Sequence, residues 1–275
     1  MRKTLLSLLL AVACTACGQT KKAEVKPLVI NTPNGKIAAI LTTPARTQQV
    51  PMVVLCHGFM NSKDGELMHT LADSLCAHGI ASIRFDFNGH GSSYGQQSEM
   101  TVPREIEDAK AIVAHAAKLP FVSRIAIVGH SQGGVVTAMT AGQLGADRIA
   151  AIALLSPAVA LRDDALRGNL FGTPYDAQNP PETLTIMGGA YTVGRDYIRT
   201  AQDLPIYETA REYKGTALII HGKADDIVPY TYGQRFHYVI DGSRFDLLEG
   251  EDHMYTHHES LPAHLVAEFM EEVLK

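Results

Sequence analysis

A serine lies at the centre of a Gly-x-Ser-x-Gly motif at residues 129–133. An apolar, strand-like run at residues 124–128 precedes the motif, and a helix-like run at residues 135–141 follows it. A strand, a sharp turn and a helix form the context in which this motif presents a nucleophile. The turn strains the backbone of Ser131 and exposes its hydroxyl, while the flanking glycines avoid clashes with the strand and the helix. We therefore predict that Ser131 is a catalytic nucleophile.

A serine hydroxyl becomes a good nucleophile only when a base takes its proton, and a carboxylate commonly orients that base. After a turn of this type, the acid and then the histidine follow along the chain. A strand-like run at residues 216–220 leads to Asp225 and Asp226, and another at residues 244–248 leads to His253. The His-Gly-x-x-Asp-x-x-Val-Pro spacing favours Asp225 as the acid, with Asp226 as the alternative. His253 is the predicted base, because an imidazole titrates near neutral pH.

The negative charge that develops on an attacked carbonyl oxygen needs backbone N–H donors beside it. We expect one N–H from Gln132, directly after the serine. We expect the other from Phe59, in the loop after the strand-like run at residues 52–56, where Gly58 lets the chain turn tightly. This chemistry requires neither a metal nor a cofactor.

The other histidines are interpreted as structural. His130 precedes the predicted nucleophile and should pack beside the turn, and His221 ends a strand-like run. His253 and His257 have the spacing of a metal-binding pair, but no His-Glu-x-x-His motif or set of Cys and His ligands accompanies them. We therefore expect no metal ion.

The composition is that of a globular enzyme. The chain has 275 residues, of which 46% are hydrophobic and 19% are charged, enough for one large α/β domain with a sizeable core. The formal net charge is −5, and no basic run is longer than the pair Lys21 and Lys22. Nucleic-acid binding is not expected, because phosphate contacts require clustered Lys and Arg.

Apolar runs that are typical of strands alternate with longer helical stretches after a leading hairpin. The strand candidates are residues 27–31, 36–42, 52–56, 80–85, 124–128, 149–154, 216–220 and 244–248. The helix candidates are residues 66–78, 104–119, 133–144, 230–239 and 261–274. This alternation predicts a doubly wound, mostly parallel α/β sheet. Residues 157–213 lack a clean strand and are interpreted as a cap over the serine, inserted between the sixth and seventh strands.

The beginning of the chain has the pattern of a targeting segment. A basic pair at residues 2–3 precedes an apolar run at residues 5–12, and small residues with Cys14 and Cys17 follow. This pattern predicts a lipoprotein-like signal peptide at residues 1–17, in which Cys17 or, alternatively, Cys14 is lipidated. Simple cleavage after residues 11–13 is the rival interpretation. In either case we expect an exported protein, periplasmic or at the cell surface.

A linker at residues 18–26 and one folded domain at residues 27–275 complete the predicted organisation. That domain contains Cys56 and Cys76, which we interpret as buried small apolar residues. An exported protein could form a disulfide, but nothing in their spacing requires one, so their pairing stays open.

Four stretches make the chain resemble the α/β-hydrolases and, among them, the bacterial cinnamoyl (feruloyl) esterases. They are residues 84–91, residues 129–136, residues 204–208, and His221-Gly222 with Asp225 and Val228. The motif around the serine is common to many α/β-hydrolases, whereas Leu-Pro-Ile-Tyr-Glu at residues 204–208 is more particular. The resemblance implies an α/β-hydrolase fold and a cap that holds the phenolic ring of a hydroxycinnamate.

The resemblance also implies that Asp164 and Tyr197, on the cap, contact the hydroxyls of that ring. One departure concerns residues 168–172, where a polar side chain is expected but Leu170 and Phe171 stand. A more apolar pocket would leave room for plain acyl or aryl esters.

These observations together predict a serine carboxylesterase that acts on a small-molecule or plant-polysaccharide-derived ester. A peptidase or thioesterase with the same three residues is the alternative, because one fold serves many substrates. A non-catalytic surface protein is less favoured, since all three candidate residues are present. The acyl group, the leaving alcohol and the oligomeric state stay open.

Overall fold

The computed structural model describes residues 22–45, 48–258 and 260–275. The predicted signal peptide at residues 1–17, with Cys14 and Cys17, lies outside the described residues, as do residues 18–21 of the predicted linker. Within the described ranges, no helix combines the length and the apolar character that crossing a bilayer requires.

The structure contains twelve strands and eight α-helices in its described part. The strands are β1 (Glu24–Thr32), β2 (Gly35–Thr43), β3 (Val50–Cys56), β4 (Ala81–Phe85), β5 (Val122–His130), β6 (Ala151–Leu155), β7 (Asn169–Leu170), β8 (Thr173–Pro174), β9 (Thr183–Ile186), β10 (Tyr191–Gly194), β11 (Thr216–Gly222) and β12 (Arg244–Leu248). The helices are α1 (Glu66–Ala77), α2 (Val102–Ala116), α3 (Gln132–Leu144), α4 (Ala160–Arg167), α5 (Arg195–Gln202), α6 (Ile206–Arg211), α7 (Thr231–Val239) and α8 (Ser260–Leu274).

Eight of these strands form one central sheet in the order β1-β2-β4-β3-β5-β6-β11-β12. Strands β1 and β2 form an antiparallel hairpin, and β2 runs antiparallel to β4. All neighbours from β4 to β12 run parallel. The predicted mostly parallel, doubly wound sheet is confirmed.

The leading hairpin is longer than the sequence predicted. Thr32 pairs with Gly35 across the tight turn, where Gly35 adopts a φ of +132° that favours glycine. At the other end, Glu24 pairs with Thr43. The predicted linker at residues 18–26 is therefore wrong for its last three residues, which belong to β1.

Side chains of the buried strands alternate between two layers of helices. Val53 and Leu55 pack on the side of α1 and α8, whereas Met52 and Val54 pack on the side of α2 and α3. Because successive side chains of a strand point to opposite faces, a sheet covered on both faces needs apolar residues at nearly every position. This explains why the central strands were visible as continuous apolar runs.

The chain between β6 and β11, the sixth and seventh strands of the central sheet, forms a separate layer that we call the cap segment (residues 157–213). It contains α4, α5, α6 and two small antiparallel strand pairs, β7–β8 and β9–β10. Its apolar side chains, among them Tyr197, Ile198 and Ile206, join the core on the α2 and α3 side. The cap segment is thus folded against the domain.

The two cysteines of the described part are both free. Cys56 is buried on β3, and burial raises the pKa of its thiol to about 12. Cys76 is only partly buried, which corrects the prediction that both are buried. It lies near the end of α1, where the helix leaves the core.

Candidate active site

Ser131 occupies a strained turn between β5 and α3. Its φ of 55° and ψ of −122° are unusual for a residue with a side chain. The Ser131 N–H donates to the Leu155 carbonyl at 2.8 Å, which ties the turn to β6. A Cβ atom on Gly129 would overlap the Gly133 carbonyl, and one on Gly133 would overlap the Cys56 carbonyl. The motif therefore needs both glycines for close packing, as the sequence predicted.

The structure brings the three candidate residues together in one hydrogen-bonded row. His253 Nε2 lies 2.9 Å from Ser131 Oγ, and His253 Nδ1 lies 2.7 Å from Asp225 Oδ2. The side chains of His253 and Asp225 are 6% and 0% exposed. Asp226, the alternative acid, is exposed to solvent. With its Nδ1–H donated to Asp225, His253 presents Nε2 as an acceptor for the serine proton.

The Asp225 carboxylate accepts hydrogen bonds on both oxygens. Oδ1 accepts the N–H groups of Ile227 at 3.0 Å and Val228 at 2.7 Å. Oδ2 accepts from His253 and, at 3.1 Å, from His221 Nε2. Burial by itself would raise the pKa of Asp225, but the hydrogen bonds from His221 and His253 outweigh burial and hold this pKa below its ordinary value. Asp225 is thus a stable anion.

Two buried histidines brace the loops around this row. His130 Nε2–H donates to the His253 carbonyl at 2.9 Å. His57 Nδ1–H donates to the Gly58 carbonyl at 2.8 Å, and its Nε2 accepts the Phe87 N–H at 3.2 Å. Burial lowers the pKa of both rings to about 3, so both are neutral at physiological pH. They are structural groups, as expected for His130.

The two residues expected to donate N–H groups to the oxyanion, Phe59 and Gln132, line the same cavity as the serine. Gly58 approaches Ser131 so closely that a Cβ atom on Gly58 would lie 3.0 Å from Ser131 Cβ. Among the residues that the structure describes, neither the Phe59 N–H nor the Gln132 N–H donates to a protein acceptor. Neither N–H group is therefore used by the hydrogen bonds of the described fold.

A cavity of about 210 Å³ opens above Ser131 and continues to the cap segment. The Phe59 ring stacks on Phe171 with ring centroids 5.4 Å apart. Leu170 is 2% exposed and also lines the cavity. The two residues that depart from the expected polar pattern therefore lie in the cavity wall and make it more apolar.

Asp164 and Tyr197, the residues expected at a ring hydroxyl, line the same cavity. The Asp164 side chain is 39% exposed and lies 3.7 Å from Arg167. Burial raises the pKa of its carboxyl more than Arg167 lowers it. The Tyr197 hydroxyl is buried and donates to Gln132 Oε1 at 2.8 Å. Its oxygen lone pairs remain as acceptors.

His221 was expected to be structural, and its Nε2 does hydrogen-bond to Asp225 Oδ2 and to the Val228 carbonyl. Sequence reasoning missed one residue of this region. Glu105, on α2, accepts a hydrogen bond from Gln132 Nε2 at 2.8 Å. No local motif marks Glu105, because its place beside Gln132 arises from the packing of α2 on α3. Within the described ranges, no group of three or more His, Cys, Asp or Glu side chains could hold a metal ion.

Solved structures with the same fold include an esterase-like protein with a bound aromatic acid. Est1E from Butyrivibrio proteoclasticus, solved with ferulic acid, matches this chain with a TM-score of 0.85 and 31% sequence identity. The match covers 90% of this chain and 98% of Est1E. An esterase from Pyrococcus furiosus, Pf2001, matches with a TM-score of 0.69 at 22% identity, which supports the fold alone.

Curated relatives match over shorter stretches. The human mitochondrial palmitoyl-protein thioesterase ABHD10 is 24% identical over 188 residues, which cover 66% of this chain and 58% of the thioesterase. An uncharacterised 31.7 kDa protein of Escherichia coli is 30% identical over 100 residues, which cover 36% of this chain and 35% of that protein. The matches thus span only a third to three-fifths of these relatives.

A family of hydrolases matches the region that contains the strained turn at residues 129–133, which we call the elbow. The Hydrolase_4 family, described as serine aminopeptidase, S33, matches residues 47–174. This region includes Phe59, Ser131 and Gln132. Together with the nearly full-length match to Est1E, it shows that the chain belongs to the α/β-hydrolase superfamily of serine hydrolases and resembles the bacterial feruloyl esterases.

Proposed function

We propose that the protein is a serine carboxylesterase that hydrolyses hydroxycinnamate or similar aryl esters. The observation that carries this proposal is the hydrogen-bonded row Ser131–His253–Asp225 at the base of a cavity walled by aromatic rings. The match to Est1E, solved with ferulic acid, supports the same substrate class.

The proposed reaction begins when Ser131 Oγ attacks the ester carbonyl and gives its proton to His253 Nε2. Asp225, held as an anion, stabilises the imidazolium. The N–H groups of Phe59 and Gln132 bind the oxyanion. His253 then protonates the leaving alcohol, and an acyl group stays on Ser131. In the second half, His253 takes a proton from water while the water oxygen attacks the acyl carbonyl; the acyl–Oγ bond then breaks, the carboxylic acid leaves, and His253 returns the proton to Ser131 Oγ.

The shape of the cavity supports an aryl acyl group. A planar ring would lie against Phe59 and Phe171, whose rings already stack. Tyr197 can accept a hydrogen bond from a ring hydroxyl, because its own proton is donated to Gln132. Asp164 is the acidic side chain in the wall and would be a second acceptor.

The test compares initial rates on methyl ferulate, a short p-nitrophenyl acyl ester and an aminoacyl amide, with Ser131→Ala and His253→Ala as controls. We expect the highest kcat/KM on methyl ferulate, and a loss of turnover of about 10⁴-fold or more in both variants. Activity on the short acyl ester alone would reject the substrate class but keep the serine mechanism. An unchanged rate in either variant would reject the mechanism itself.

A second candidate function is the hydrolysis of fatty acyl thioesters. Four large apolar side chains that line the cavity are 41–51% exposed at its mouth: Phe171, Met187, Ile227 and Met254. Such a rim suits a long acyl chain, and the palmitoyl-protein thioesterase ABHD10 is a distant relative. Palmitoyl-CoA hydrolysed with a higher kcat/KM than methyl ferulate would favour this function over the first.

We also propose that the protein is exported and anchored through a lipid on Cys17. The basic pair, the apolar run and the small residues before Cys17 support this proposal. The test is the mass of the mature N-terminal peptide and the fractionation of Cys17→Ala and Cys14→Ala variants in a bacterial host. Membrane association lost only in Cys17→Ala is expected. Loss only in Cys14→Ala, or in neither variant, would reject the assignment.

A further inference from the structure

The side chain of Gln132 is held between two buried groups that lie outside the Ser131–His253–Asp225 row. The Tyr197 hydroxyl donates to Gln132 Oε1 at 2.8 Å, and Gln132 Nε2 donates to Glu105 Oε2, also at 2.8 Å. Gln132, Tyr197 and Glu105 are each 2% exposed. In this arrangement the phenol donates to the Gln132 amide oxygen and the carboxyl oxygen accepts from the Gln132 amide nitrogen, so both ends of the amide are hydrogen-bonded.

Glu105 is a buried acid that has no cationic partner among the described residues. The titratable groups whose charges interact with it are acidic or neutral, namely Asp108, Tyr191, Tyr197 and Cys56. Burial, reinforced by Asp108, raises the pKa of Glu105 well above its ordinary value despite the hydrogen bond from Gln132. Glu105 therefore has the environment of a neutral carboxylic acid, whose carbonyl oxygen suffices to accept from Gln132.

The Gln132 N–H shares a peptide plane with the Ser131 carbonyl, which accepts the N–H groups of Gly134 at 2.9 Å and Ala158 at 3.0 Å. Gln132 is the first residue of α3, so its N–H has no acceptor within the helix. The strained turn at Ser131 sets the direction of the Gln132 N–H from the preceding residue. The anchoring of the buried Gln132 side chain sets it from Gln132 itself. Even a small tilt of this peptide plane would turn the Gln132 N–H away from the oxyanion while the side chains of Ser131, His253 and Asp225 keep their hydrogen bonds to one another.

We propose that Glu105 is a positioning residue for the oxyanion site: it anchors the Gln132 side chain and thereby orients the Gln132 N–H beside Ser131. This inference rests on the proposed function, because an oxyanion forms only if Ser131 attacks a carbonyl. Glu105 acts through Gln132 and does not touch the substrate.

Tyr197 extends the same arrangement to the second expected donor. Its ring lies 5.6 Å, centroid to centroid, from the ring of Phe59, while its hydroxyl binds Gln132. Tyr197 comes from α5 of the cap segment, and Glu105 comes from α2 of the main domain. The Gln132 side chain is therefore anchored jointly by Tyr197 of the cap segment and by Glu105 of the main domain.

The experiment measures kcat and KM on p-nitrophenyl butyrate for Glu105→Leu and Glu105→Gln. Glu105→Leu removes the acceptor, and we expect kcat to fall about tenfold or more while KM changes less than about threefold, since oxyanion contacts act in the transition state. Glu105→Gln keeps a carbonyl oxygen for Gln132 Nε2 and should restore kcat to within about threefold of the wild type. The inhibition constant of phenylboronic acid, which forms a tetrahedral adduct on serine, should rise in step with the loss of kcat/KM.

Asp108→Asn is the matched control, because Asp108 is a buried acid on the same helix that binds Asn34, Asn88 and Thr32 instead of Gln132. Its kcat should stay unchanged. If Glu105→Leu does not fold, Gln132→Met removes the same hydrogen bond from the other side and should show the same loss of kcat.

The possible outcomes separate the inference from the proposed function. Equal kcat in the wild type and in the folded Glu105→Leu or Gln132→Met variant would overturn the positioning role. So would a fall in kcat without a matching change in phenylboronic acid inhibition. Ester hydrolysis that persists in Ser131→Ala would instead overturn the serine mechanism on which the inference rests.

Discussion

Among single residues, the hydrogen bonds that each buried carboxyl group accepts determine whether it is ionised or protonated. Asp225 receives four, two from main-chain N–H groups and two from histidines, and is held as an anion. Within the described part of the chain, Glu105 accepts one hydrogen bond, from a neutral amide, and burial favours its protonated form. Two buried carboxyl groups near one cavity thus have opposite protonation preferences, because their partners differ.

The Asp225→Asn variant tests whether Asp225, and not its neighbour Asp226, is the acid that orients His253. An amide in this place cannot stabilise the imidazolium and favours the wrong tautomer of His253, so kcat should fall by about 10⁴-fold. Asp226→Asn changes an exposed side chain and should leave kcat within about twofold of the wild type. Steady-state rates on one activated ester decide between them, and an equal loss in both variants would contradict the assignment.

The three residues of the row could be predicted from sequence, whereas the buried residues that hold the site in place could not. Ser131 lies in a local motif, and the order of acid and histidine along the chain then indicated Asp225 and His253. Glu105 was invisible, because a glutamate in an amphipathic helix is ordinarily solvated. Only the packing of α2 against α3 and the cap segment makes it a buried partner of Gln132.

At the scale of secondary-structure elements, the carboxyl ends of parallel strands gather the site at one edge of the sheet. β5 leads into Ser131, β11 into the Asp225 loop, β12 into the His253 loop and β3 into the Phe59 loop. Residues far apart in sequence meet there because parallel strands end at the same edge. Each strand can therefore fix its functional residue independently of the length of the intervening helices.

Gly133→Ala tests the tight packing of the elbow. The added Cβ would meet the main-chain oxygens of Cys56 and His57, which belong to β3 and its loop and cannot rotate away. We expect a loss of unfolding free energy of about 1–3 kcal/mol, measured by urea denaturation, and a larger loss of activity than of stability at room temperature. Gly172→Ala is the comparison variant: a Cβ there meets no atom within 4 Å, so its effect measures only the strain of a side chain at a φ of +77°. An unchanged unfolding free energy in Gly133→Ala would contradict the packing argument.

The elements of the central sheet were predictable because strands buried on both faces are apolar at nearly every position. The cap segment was recognised only as a gap without clean strands. Its strands are two to four residues long, such as Asn169–Leu170 and Tyr191–Gly194, which is too short for any periodicity to show. The start of β1 was also missed, since Glu24 and Val25 are exposed on an edge strand and do not alternate with buried residues.

At the scale of the whole molecule, a buried neutral acid makes stability depend on pH. The pKa of Glu105 is raised in the folded state, so the folded protein retains a proton that the unfolded chain releases. Its contribution to stability is therefore fully present below the ordinary carboxyl pKa and is lost as the pH rises through the raised value. This pH dependence concerns the unfolding free energy and not the rate of the reaction.

Glu105→Gln should remove that dependence, because an amide does not titrate. Relative to the wild type, the unfolding free energy of Glu105→Gln should increase from about pH 5 to about pH 8. Urea denaturation at several pH values measures the difference. Glu107→Gln, which changes an exposed side chain on the same helix, is the control. A constant difference between Glu105→Gln and the wild type across this range would show that Glu105 titrates normally.

The hydrogen bond from His130 to the His253 carbonyl has a consequence for the protein in warm solution. His130 directly precedes Ser131 and binds the backbone of His253, so the positions of Ser131 and His253 are coupled through this hydrogen bond. Neither the elbow nor the loop that contains His253 can move without breaking this buried hydrogen bond between two neutral groups. Heating should therefore inactivate the protein all at once, at the temperature where the sheet itself melts, rather than through an earlier loosening of the active loops.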